Sequence, residues 1–477
     1  MAVQQTRYES IGANPAQYDF PSQRATVRTY TADTDWGRRD GRSGILHSSQ
    51  VRQDESLFGR HSTGLDFTKY EEIPVQASDH FLPIHSFEEC RLHSRLLNNL
   101  RRLSYSVPTP VQKYVISVAL EGRDVIAVAQ TGSGKTAAFL IPIIHKMLTN
   151  GPPAASSSQA ARPVALILAP VRELAIQIHE EARKLVFLTG IRAVVVYGGA
   201  AMHLQTSELR QGCDILVATP GRLLDFLDRG FVQLTDVQYV VMDEADRMLD
   251  MGFEPQVKRL IQGLQLKTQT TMCSATFAPE VVQLAYTYTS NPLFMALGKV
   301  GTATTYVSHE VYYTESRKKV LILHEILKTM SGLVLIFVQM KRDANSLARA
   351  LCQIGYDAGC IHGDRDQTER ERALGAFRSG ERPILVATDV AQRGLDIPNV
   401  AAVINFDPPR SIEDYVHRIG RTGRAGRDGR GISFLGPNDQ RYAQSLYSVF
   451  EEAKQEIPQW FTSLVSCAPT ASLSFDW

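Results

Sequence analysis

Short apolar runs rich in β-branched residues alternate with helical stretches along this chain from about residue 82 onwards. A first block contains DVIAVA, VALILAP and YVVMDEAD, and a second block contains LVLIFVQ, PILVATD and VAAVINFD. Strands that alternate with helices form parallel sheets covered by helices on both faces. Because each block is large enough for its own core, the pattern predicts an α/β fold with two doubly wound, parallel-sheet domains.

Changes in composition predict five segments. Residues 1–62 lack a long apolar run and interleave arginines with aromatic residues, so we expect a disordered tail. Such a tail either binds RNA weakly through stacking and charge or is simply solvated. The remaining segments are a first domain at 63–298, a small polar linker at 299–306, a second domain at 307–466 and a short tail at 467–477.

The charge balance limits the kinds of function. The 51 Lys and Arg residues offset 50 Asp and Glu residues, for a net charge of +1. This excludes a chain that holds nucleic acid by bulk charge alone, although a local basic groove stays open. The polar N-terminal sequence predicts no signal peptide, and no apolar run approaches the ~20 residues that span a bilayer. Six scattered cysteines without a C-x-x-C pair favour a reduced, intracellular protein.

A glycine-rich segment, AQTGSGKT at 129–136, follows an apolar strand pattern and precedes an apolar helix pattern. Its glycines allow backbone N–H groups to face phosphate, and the start of the helix favours anions. We expect Lys135 to reach the β- and γ-phosphates of ATP and Thr136 to hold Mg²⁺, a chance glycine loop being the alternative. The predicted phosphate-binding residues are Thr131, Gly132, Ser133, Gly134, Lys135 and Thr136.

Two adjacent acids follow the apolar strand YVVM. A carboxylate at the end of a strand near a phosphate-binding loop is the arrangement that holds the magnesium ion of a nucleotide. We therefore expect Asp243 to bind Mg²⁺, and Glu244 to orient and deprotonate the attacking water. Without the loop, such an acidic cluster would more often be a solvated turn.

The second block contains HRIGRTGR, from His417 to Arg424, but no phosphate-binding loop of its own. Its arginines are therefore expected to face ATP held by the first domain. Arg421 and Arg424, three residues apart on one helical face, would stabilise transition-state charge as arginine fingers. The alternative is a basic patch for RNA phosphate. On the first reading, hydrolysis requires the two domains to close.

Together these motifs resemble those of the DEAD-box ATP-dependent RNA helicases, in the same order, from about Phe81 to Val465. The resemblance implies two tandem RecA-like domains that use ATP and Mg²⁺ and contact RNA mostly independently of its sequence. It also implies roles for further residues. These are Phe87 on the base, Gln112 on the adenine edge, Asp396 on the ribose, Ser274 and Thr276 in coupling hydrolysis to strand separation, and His417 beside the catalytic arginines.

The resemblance implies an RNA-binding surface on both domains. The residues implied to contact RNA are Pro170, Arg172, Gly198, Gly199, Thr219, Gly221, Arg222, Gln367, Arg370 and Thr388. Three positions depart from the family pattern. Val171 replaces a threonine that contacts RNA phosphate in the family. Gln392 replaces an alanine of motif V, at 388–396 here, and Tyr105 replaces the commoner phenylalanine of the Q motif, at 104–112 here.

The segments that flank the two domains, at 57–75 and 452–460, resemble those of the Vasa and Belle branch of the family. That branch implies translation-initiation or RNP-granule proteins as partners and a cytoplasmic location, with RNP granules and nuclear shuttling left open. No membrane association is expected.

We therefore expect an ATP-dependent RNA helicase that separates duplexes locally and releases RNA after hydrolysis, in translation initiation or mRNP remodelling. An ATP-gated RNA clamp that scaffolds RNP granules with little unwinding would use the same motifs. A DNA helicase or another P-loop ATPase is a third reading, which competition between single-stranded RNA and DNA for ATPase stimulation would decide.

Overall fold

The computed structural model describes Trp36 and most of the chain from Val75 to Ser466. The described ranges are 75–129, 132–153, 160–264, 267–276, 279–297, 307–315, 317–389, 400–423, 428–453 and 455–466. Within these ranges, no helix is both long enough and apolar enough to cross a membrane. The predicted linker, the C-terminal tail and the N-terminal tail apart from Trp36 lie outside the described residues.

The described residues of the first domain form an eight-stranded sheet. Its strands are β1 (Val75–Ala77), β2 (Val125–Val128), β3 (Ala165–Leu168), β4 (Ala193–Val196), β5 (Ile215–Ala218), β6 (Tyr239–Met242), β7 (Gln269–Ser274) and β8 (Leu293–Leu297). They lie in the order β1-β8-β2-β7-β6-β3-β5-β4, and every neighbouring pair is parallel except β1 with β8. The helices are α1 (Ser94–Arg102), α2 (Pro110–Leu120), α3 (Lys135–Asn150), α4 (Arg172–Leu185), α5 (Met202–Arg210), α6 (Pro220–Asp228), α7 (Ala245–Asp250), α8 (Glu254–Gln262) and α9 (Pro279–Tyr288).

The described residues of the second domain form a six-stranded sheet in which every neighbouring pair is parallel. Its strands are β9 (Val307–Tyr313), β10 (Leu333–Phe337), β11 (Ala358–Ile361), β12 (Ile384–Ala387), β13 (Val400–Asn405) and β14 (Gly429–Leu435), in the order β11-β12-β10-β13-β14-β9. The helices are α10 (Lys319–Lys328), α11 (Lys341–Gln353), α12 (Gln367–Arg378), α13 (Ile412–Ile419), α14 (Gln440–Glu452) and α15 (Gln459–Ser466). The predicted fold of two parallel-sheet α/β domains is confirmed.

Strands buried on both faces explain the unbroken apolar runs of the sequence. In β3, Ala165 and Ile167 belong to the core on one side of the sheet, whereas Leu166 and Leu168 belong to the core on the other side. All four side chains are fully buried. Because neither face meets water, these strands lack the apolar–polar alternation of a half-exposed sheet.

The strand order gathers distant motifs at the carboxyl edge of the first sheet. The neighbours β2, β7 and β6 end next to the predicted phosphate-binding loop, coupling residues and acids, respectively. The neighbours β3, β5 and β4 end next to three groups of predicted RNA contacts. Since ligands of open α/β sheets bind beyond the carboxyl ends of strands, the topology itself creates two adjacent candidate sites.

Truncating the core beneath these sites should destabilise the first domain. We expect Leu166→Ala to lower the free energy of unfolding by about 2–5 kcal/mol, because the fully buried side chain leaves a cavity. The matched change Leu204→Ala, on a side chain that is 62% exposed, should cost less than about 0.5 kcal/mol. Urea unfolding followed by far-UV circular dichroism measures both, and equal shifts of the midpoint would contradict the assignment of the core.

Candidate nucleotide site and interdomain cleft

The segment after β2 forms the base of the candidate nucleotide site. Gly132 and Gly134 have left-handed φ angles of 82° and 91°, which glycine adopts without strain. Gly134 is the N-cap of α3, so the N–H groups of the first helical turn lie at this loop. A Cβ at Gly134 would lie 2.7 Å from the amide nitrogen of Gln112, which explains why glycine is required. Gln130 and Thr131 lie outside the described residues.

Lys135 supplies a buried positive charge to the loop. Its side chain is 7% exposed, and its ammonium group donates to the carbonyl oxygen of Ala129. The N–H of Ala129 in turn donates to the carbonyl oxygen of Ser274 at 3.0 Å, which joins the loop to the end of β7. A buried ammonium at the start of a helix is a strong partner for phosphate oxygens. Thr136 follows it, half-buried, in the first turn of α3.

Gln112 and Thr109 hold the loop from the side of α2. Thr109 is the N-cap of α2 and forms a reciprocal capping box with Gln112. Gln112 Nε2 also donates to the carbonyl oxygen of Gly134 at 3.2 Å, and Thr109 Oγ1 donates to that of Ser133 at 2.8 Å. The residue predicted to recognise adenine is therefore bonded directly to the phosphate-binding loop.

Phe87 has a packing role in this structure. It is 1% exposed, and its ring stacks on that of Tyr105 with 6.4 Å between centroids. The Tyr105 hydroxyl donates to Glu181 at 2.6 Å, so the group that distinguishes this chain from the usual phenylalanine has a partner. Burial, together with Glu181, raises the pKa of Tyr105 and keeps the phenol protonated. Contact of Phe87 with a base stays a prediction.

The two predicted catalytic acids follow β6 directly. Asp243 is 3% exposed, and its Oδ1 accepts from the N–H of Glu244 at 3.0 Å. Burial raises the pKa of Asp243 to about 7, and the charge of Lys135 opposes that shift. Glu244 has a left-handed φ of 52° as the N-cap of α7. Such strained backbone conformations occur mainly where function requires them.

Asp246 forms hydrogen bonds with the coupling segment, residues 274–276, which is predicted to link hydrolysis to strand separation. The sequence predicted no role for Asp246. Its Oδ2 accepts from the N–H groups of Ala275 and Thr276 at 3.2 and 3.1 Å and from the Thr276 hydroxyl at 3.1 Å. Ser274 Oγ donates to the carbonyl oxygen of Thr276 at 2.8 Å. The available signal was spacing, because Asp246 follows Asp243 by three residues at the start of a helix.

The same carboxylate faces the second domain. His417 Nε2 lies 3.7 Å from Asp246 Oδ2, with 5% and 7% of the two side chains exposed. Burial and the charge of Arg247 lower the pKa of His417 to about 3, so the imidazole is neutral at physiological pH. The positive charges of Arg421 and Lys135 lower this pKa as well, whereas the carboxylate of Asp246 opposes the shift.

Arg421 lies beyond the helix predicted to carry it. Helix α13 ends at Ile419 with Gly420 as its C-cap, and Gly423 has a left-handed φ of 64°. Because glycines end the helix here, the prediction that Arg421 and Arg424 share a helical face is wrong. Arg421 is 6% exposed, and Arg424 lies outside the described residues.

Arg418, between His417 and Arg421, has a structural role. It is fully buried and donates to both oxygens of Asp389 at 2.6 and 2.7 Å. Its guanidinium also donates to Asn405 Oδ1 at 3.0 Å. This pair joins α13 to the end of β12, where Thr388 lies 4% exposed. The predicted ribose contact Asp396 and the departure Gln392 lie outside the described residues.

The predicted RNA contacts of the first domain gather after β3, β4 and β5. Arg172 lies against Gly199, where a Cβ would be 2.6 Å from its Nη1. Arg222 Nη2 donates at 3.3 Å to the carbonyl oxygen of the residue after Gly199. A Cβ at Gly198 or Gly221 would meet no atom within 4 Å, so the backbone is open there. Open backbone beside two arginines suits a sugar-phosphate chain.

The starts of α4 and α6 complete this surface. Val171 is the N-cap of α4 and has no side-chain cap bond, so the threonine of the family pattern would offer a hydroxyl that this chain lacks. The buried Pro170 precedes it. Thr219 is the N-cap of α6, and its N–H donates to the carbonyl oxygen of Val196 at 3.1 Å.

One predicted RNA contact of the second domain is paired across the cleft. Arg370 on α12 forms an ion pair with Glu173 in the first turn of α4, and 10% of each side chain is exposed. Burial raises the pKa of Glu173, and the charge of Arg370 opposes that shift. Glu173 was not predicted, although it follows Arg172 directly. Gln367 is the first residue of α12.

Comparison with known families agrees with this geometry. The family model described as DEAD/DEAH box helicase matches residues 109–284, and that of the helicase conserved C-terminal domain matches residues 318–426. The first match contains the loop, the acids and the coupling residues, and the second contains all of HRIGRTGR, from His417 to Arg424.

Solved structures give the same result. S. cerevisiae Dbp5 bound to RNA and ADP BeF3 is 30% identical, with a TM-score of 0.68, over 80% of this chain and 100% of that chain. A variant of S. cerevisiae Dbp5 bound to Gle1 and IP6 is 32% identical, with a TM-score of 0.61, over 78% and 93%. The RNA helicase Prp28 from Chaetomium thermophilum bound to ADP is 36% identical, with a TM-score of 0.43, over 87% and 96%. The chain belongs to the DEAD-box family of ATP-dependent RNA helicases.

Proposed function

We propose that this chain closes its two domains on ATP and one RNA strand, separates short duplexes locally, and releases the RNA after hydrolysis. One observation carries the proposal: Asp246, one helical turn after the catalytic acids, bonds the coupling segment and faces His417 of the second domain. Closure and the nucleotide site are therefore linked through one buried carboxylate.

Asp243 and Thr136 would hold magnesium. Carboxylate and hydroxyl oxygens are the hard donors that Mg²⁺ prefers, and a nearby cation favours the ionised form of a buried carboxyl such as Asp243. Among the described residues, no group of three or more His, Cys, Asp or Glu could hold a metal ion. The few protein donors fit an ion that keeps water and phosphate ligands. When bound, the ion neutralises phosphate charge.

The proton transfer falls to Glu244. It is 7% exposed and follows Asp243 directly at the carboxyl edge of the first sheet, where it would align a water with the terminal phosphate. Lys135 binds the phosphate oxygens from the loop. Arg421, buried near His417, supplies positive charge from the second domain. Arg424 is proposed as its companion.

A second cross-domain ion pair supports closure. Arg247 Nη1 donates to Asp414 Oδ1 at 2.9 Å, with 5% and 16% of the side chains exposed. Arg247 adjoins Asp246, and Asp414 lies on α13 one turn before His417. Against the cost of burial, the hydrogen bond to Asp414 raises the pKa of Arg247, so the guanidinium stays charged. The two domains thus meet along one strip of matched groups.

RNA would bind along the adjacent strip that contains Arg172, Gly199 and Arg370. Phosphate and sugar contacts position a strand without reading its sequence, and the 2′-hydroxyl distinguishes RNA from DNA. Because Glu173 pairs with Arg370, an RNA phosphate would have to displace that carboxylate. A strand gripped by both domains bends on closure, which disfavours a duplex.

The cellular role is also proposed. We propose membership of the Vasa and Belle branch and a role in translation initiation or mRNP remodelling, because the flanking segments 57–75 and 452–460 resemble those of that branch. Trp460, in the second flank, packs on Tyr313 with 5.7 Å between ring centroids. The Dbp5 variant was solved with Gle1, which supports proteins as partners here too, from initiation complexes or RNP granules. The proposed location is the cytoplasm, and crosslinking of bound RNA in cells tests these roles.

Replacing the proposed base should stop turnover but not nucleotide binding. We expect Glu244→Gln to reduce RNA-stimulated phosphate release by about 10²–10⁴-fold, the usual contribution of a positioned base. The exposed Glu280→Gln serves as the control. Wild-type turnover in Glu244→Gln would contradict the role of Glu244 as the base.

A strand-separation assay on the wild type distinguishes a helicase from an ATP-gated RNA clamp. The helicase would separate short duplexes, whereas the clamp would hold RNA in the presence of ATP and leave duplexes intact.

The Arg247–Asp414 pair should couple the domains energetically. We expect Arg247→Ala and Asp414→Ala each to lower kcat/KM for ATP with RNA present, and the double variant to cost less than the sum. The coupling should be roughly 0.5–3 kcal/mol, as for contacting charges. The exposed pair Arg259–Asp228, within the first domain, should give additive and small effects. Additivity for both pairs would show that Arg247 and Asp414 do not meet during turnover.

Glu173 should compete with RNA for Arg370. We expect Arg370→Ala to weaken single-stranded RNA binding about tenfold, because a charged hydrogen bond is lost. Glu173→Gln should strengthen binding a few-fold by releasing the guanidinium. Arg378→Ala, at the exposed end of α12, is the matched control. Fluorescence anisotropy with a non-hydrolysable ATP analogue measures all three, and weaker binding by Glu173→Gln would refute competition.

A further inference from the structure

Trp36 is buried in the first domain although it belongs to the N-terminal tail. It is 4% exposed and belongs to the same apolar core as β2 and α3. It is the one residue before Val75 that the structure describes. The prediction of a solvated tail therefore does not hold at this position. Its sequence neighbours, TDWGRRD at 34–40, are polar, so the indole is the apolar group of that stretch.

The contact has the geometry of a specific bond. Trp36 Nε1 donates to the carbonyl oxygen of Met147 at 3.1 Å. Met147 is among the last four residues of α3, whose carbonyl groups have no partner further along the helix. The N–H of Gly151 donates to the same oxygen at 3.0 Å. The end of the helix thus offers an acceptor, and the indole fills it while burying its ring.

We propose that the C-terminal end of α3 is a docking site for a tryptophan side chain, occupied by Trp36 of the same chain. A tryptophan suits it because the site combines apolar walls with one acceptor, whereas phenylalanine would leave the acceptor without the indole N–H. With β1 paired to β8, the tail is fastened to the first domain at two points, Trp36 and Val75.

The docking should be reversible. Trp36 belongs to the same chain as its site, so it competes as an intramolecular ligand, for which effective concentrations are on the order of a millimolar. One side chain with one hydrogen bond is a small contact, and part of its gain offsets the entropy lost when the chain is closed into a loop. A separate peptide that contains the same tryptophan should therefore compete once its concentration exceeds this value.

The test uses the full-length chain and a labelled peptide that matches residues 30–42, with the sequence YTADTDWGRRDGR. We expect the peptide to bind Trp36→Ala at least tenfold more tightly than the wild type, whose own Trp36 occupies the site. The same peptide with tryptophan replaced by alanine should bind neither chain. Trp477→Ala, which removes a tryptophan elsewhere, should behave as the wild type.

A second measurement observes the wild-type contact directly. Labelling with 5-fluorotryptophan gives a ¹⁹F resonance for each of the three tryptophans, and Trp36→Phe identifies one of them. Excess unlabelled peptide should displace Trp36 from its site. The Trp36 resonance should then move to the position of a solvent-exposed 5-fluorotryptophan. Basal ATPase activity of Trp36→Ala should equal that of the wild type, which shows that the variant is folded. Equal peptide affinity for Trp36→Ala and wild type, or no binding by active Trp36→Ala, would overturn the proposal.

Discussion

The carboxylate of Asp246 is the interaction on which the cleft depends. A buried charge is costly unless it is paired and hydrogen-bonded, and Asp246 obtains three hydrogen bonds from the segment after β7. The Oδ2 atom that accepts these bonds also faces His417 of the second domain, at 3.7 Å from its Nε2. Because a neutral imidazole contributes no charge of its own and 3.7 Å is longer than a hydrogen bond, the contact between the two side chains relies on packing. The approach of α13 is thereby tied to the position of the coupling segment.

Arginine–carboxylate pairs explain how a nearly neutral chain builds an RNA-binding enzyme. Arg418 is held by Asp389, Arg247 by Asp414 and Arg370 by Glu173. In these three pairs, positive charge is neutralised within the structure, where it joins strands or domains. We propose that such a surface attracts RNA only weakly at long range and binds it mainly through backbone contacts that fit its shape.

Local signals in the sequence predicted what local physics decides. Unbroken apolar runs indicated strands buried on both faces, and the Gly134–Lys135 pair indicated a helix start that binds phosphate. The partners of Asp246 could not be predicted, because they depend on β7 lying beside β6, which periodicity does not specify. The burial of Trp36 could not be predicted for the same reason, since the carbonyl oxygen that it bonds, that of Met147, lies far along the chain. The position of Arg421 beyond the helix could have been predicted, because Gly420 in the sequence already indicated that the helix ends before it.

Helix α3 connects two of these features physically. Lys135 begins it at the phosphate-binding loop, and Met147, about 18 Å further along the axis, accepts the bond from Trp36. The residues between, including Phe139 and Ile144, are almost all buried in the core. A helix packed in this way cannot shift at one end without repacking its whole length, which would cost more than one exchangeable side chain supplies. Anchoring of the tail and chemistry at the loop therefore share an element while staying energetically separate.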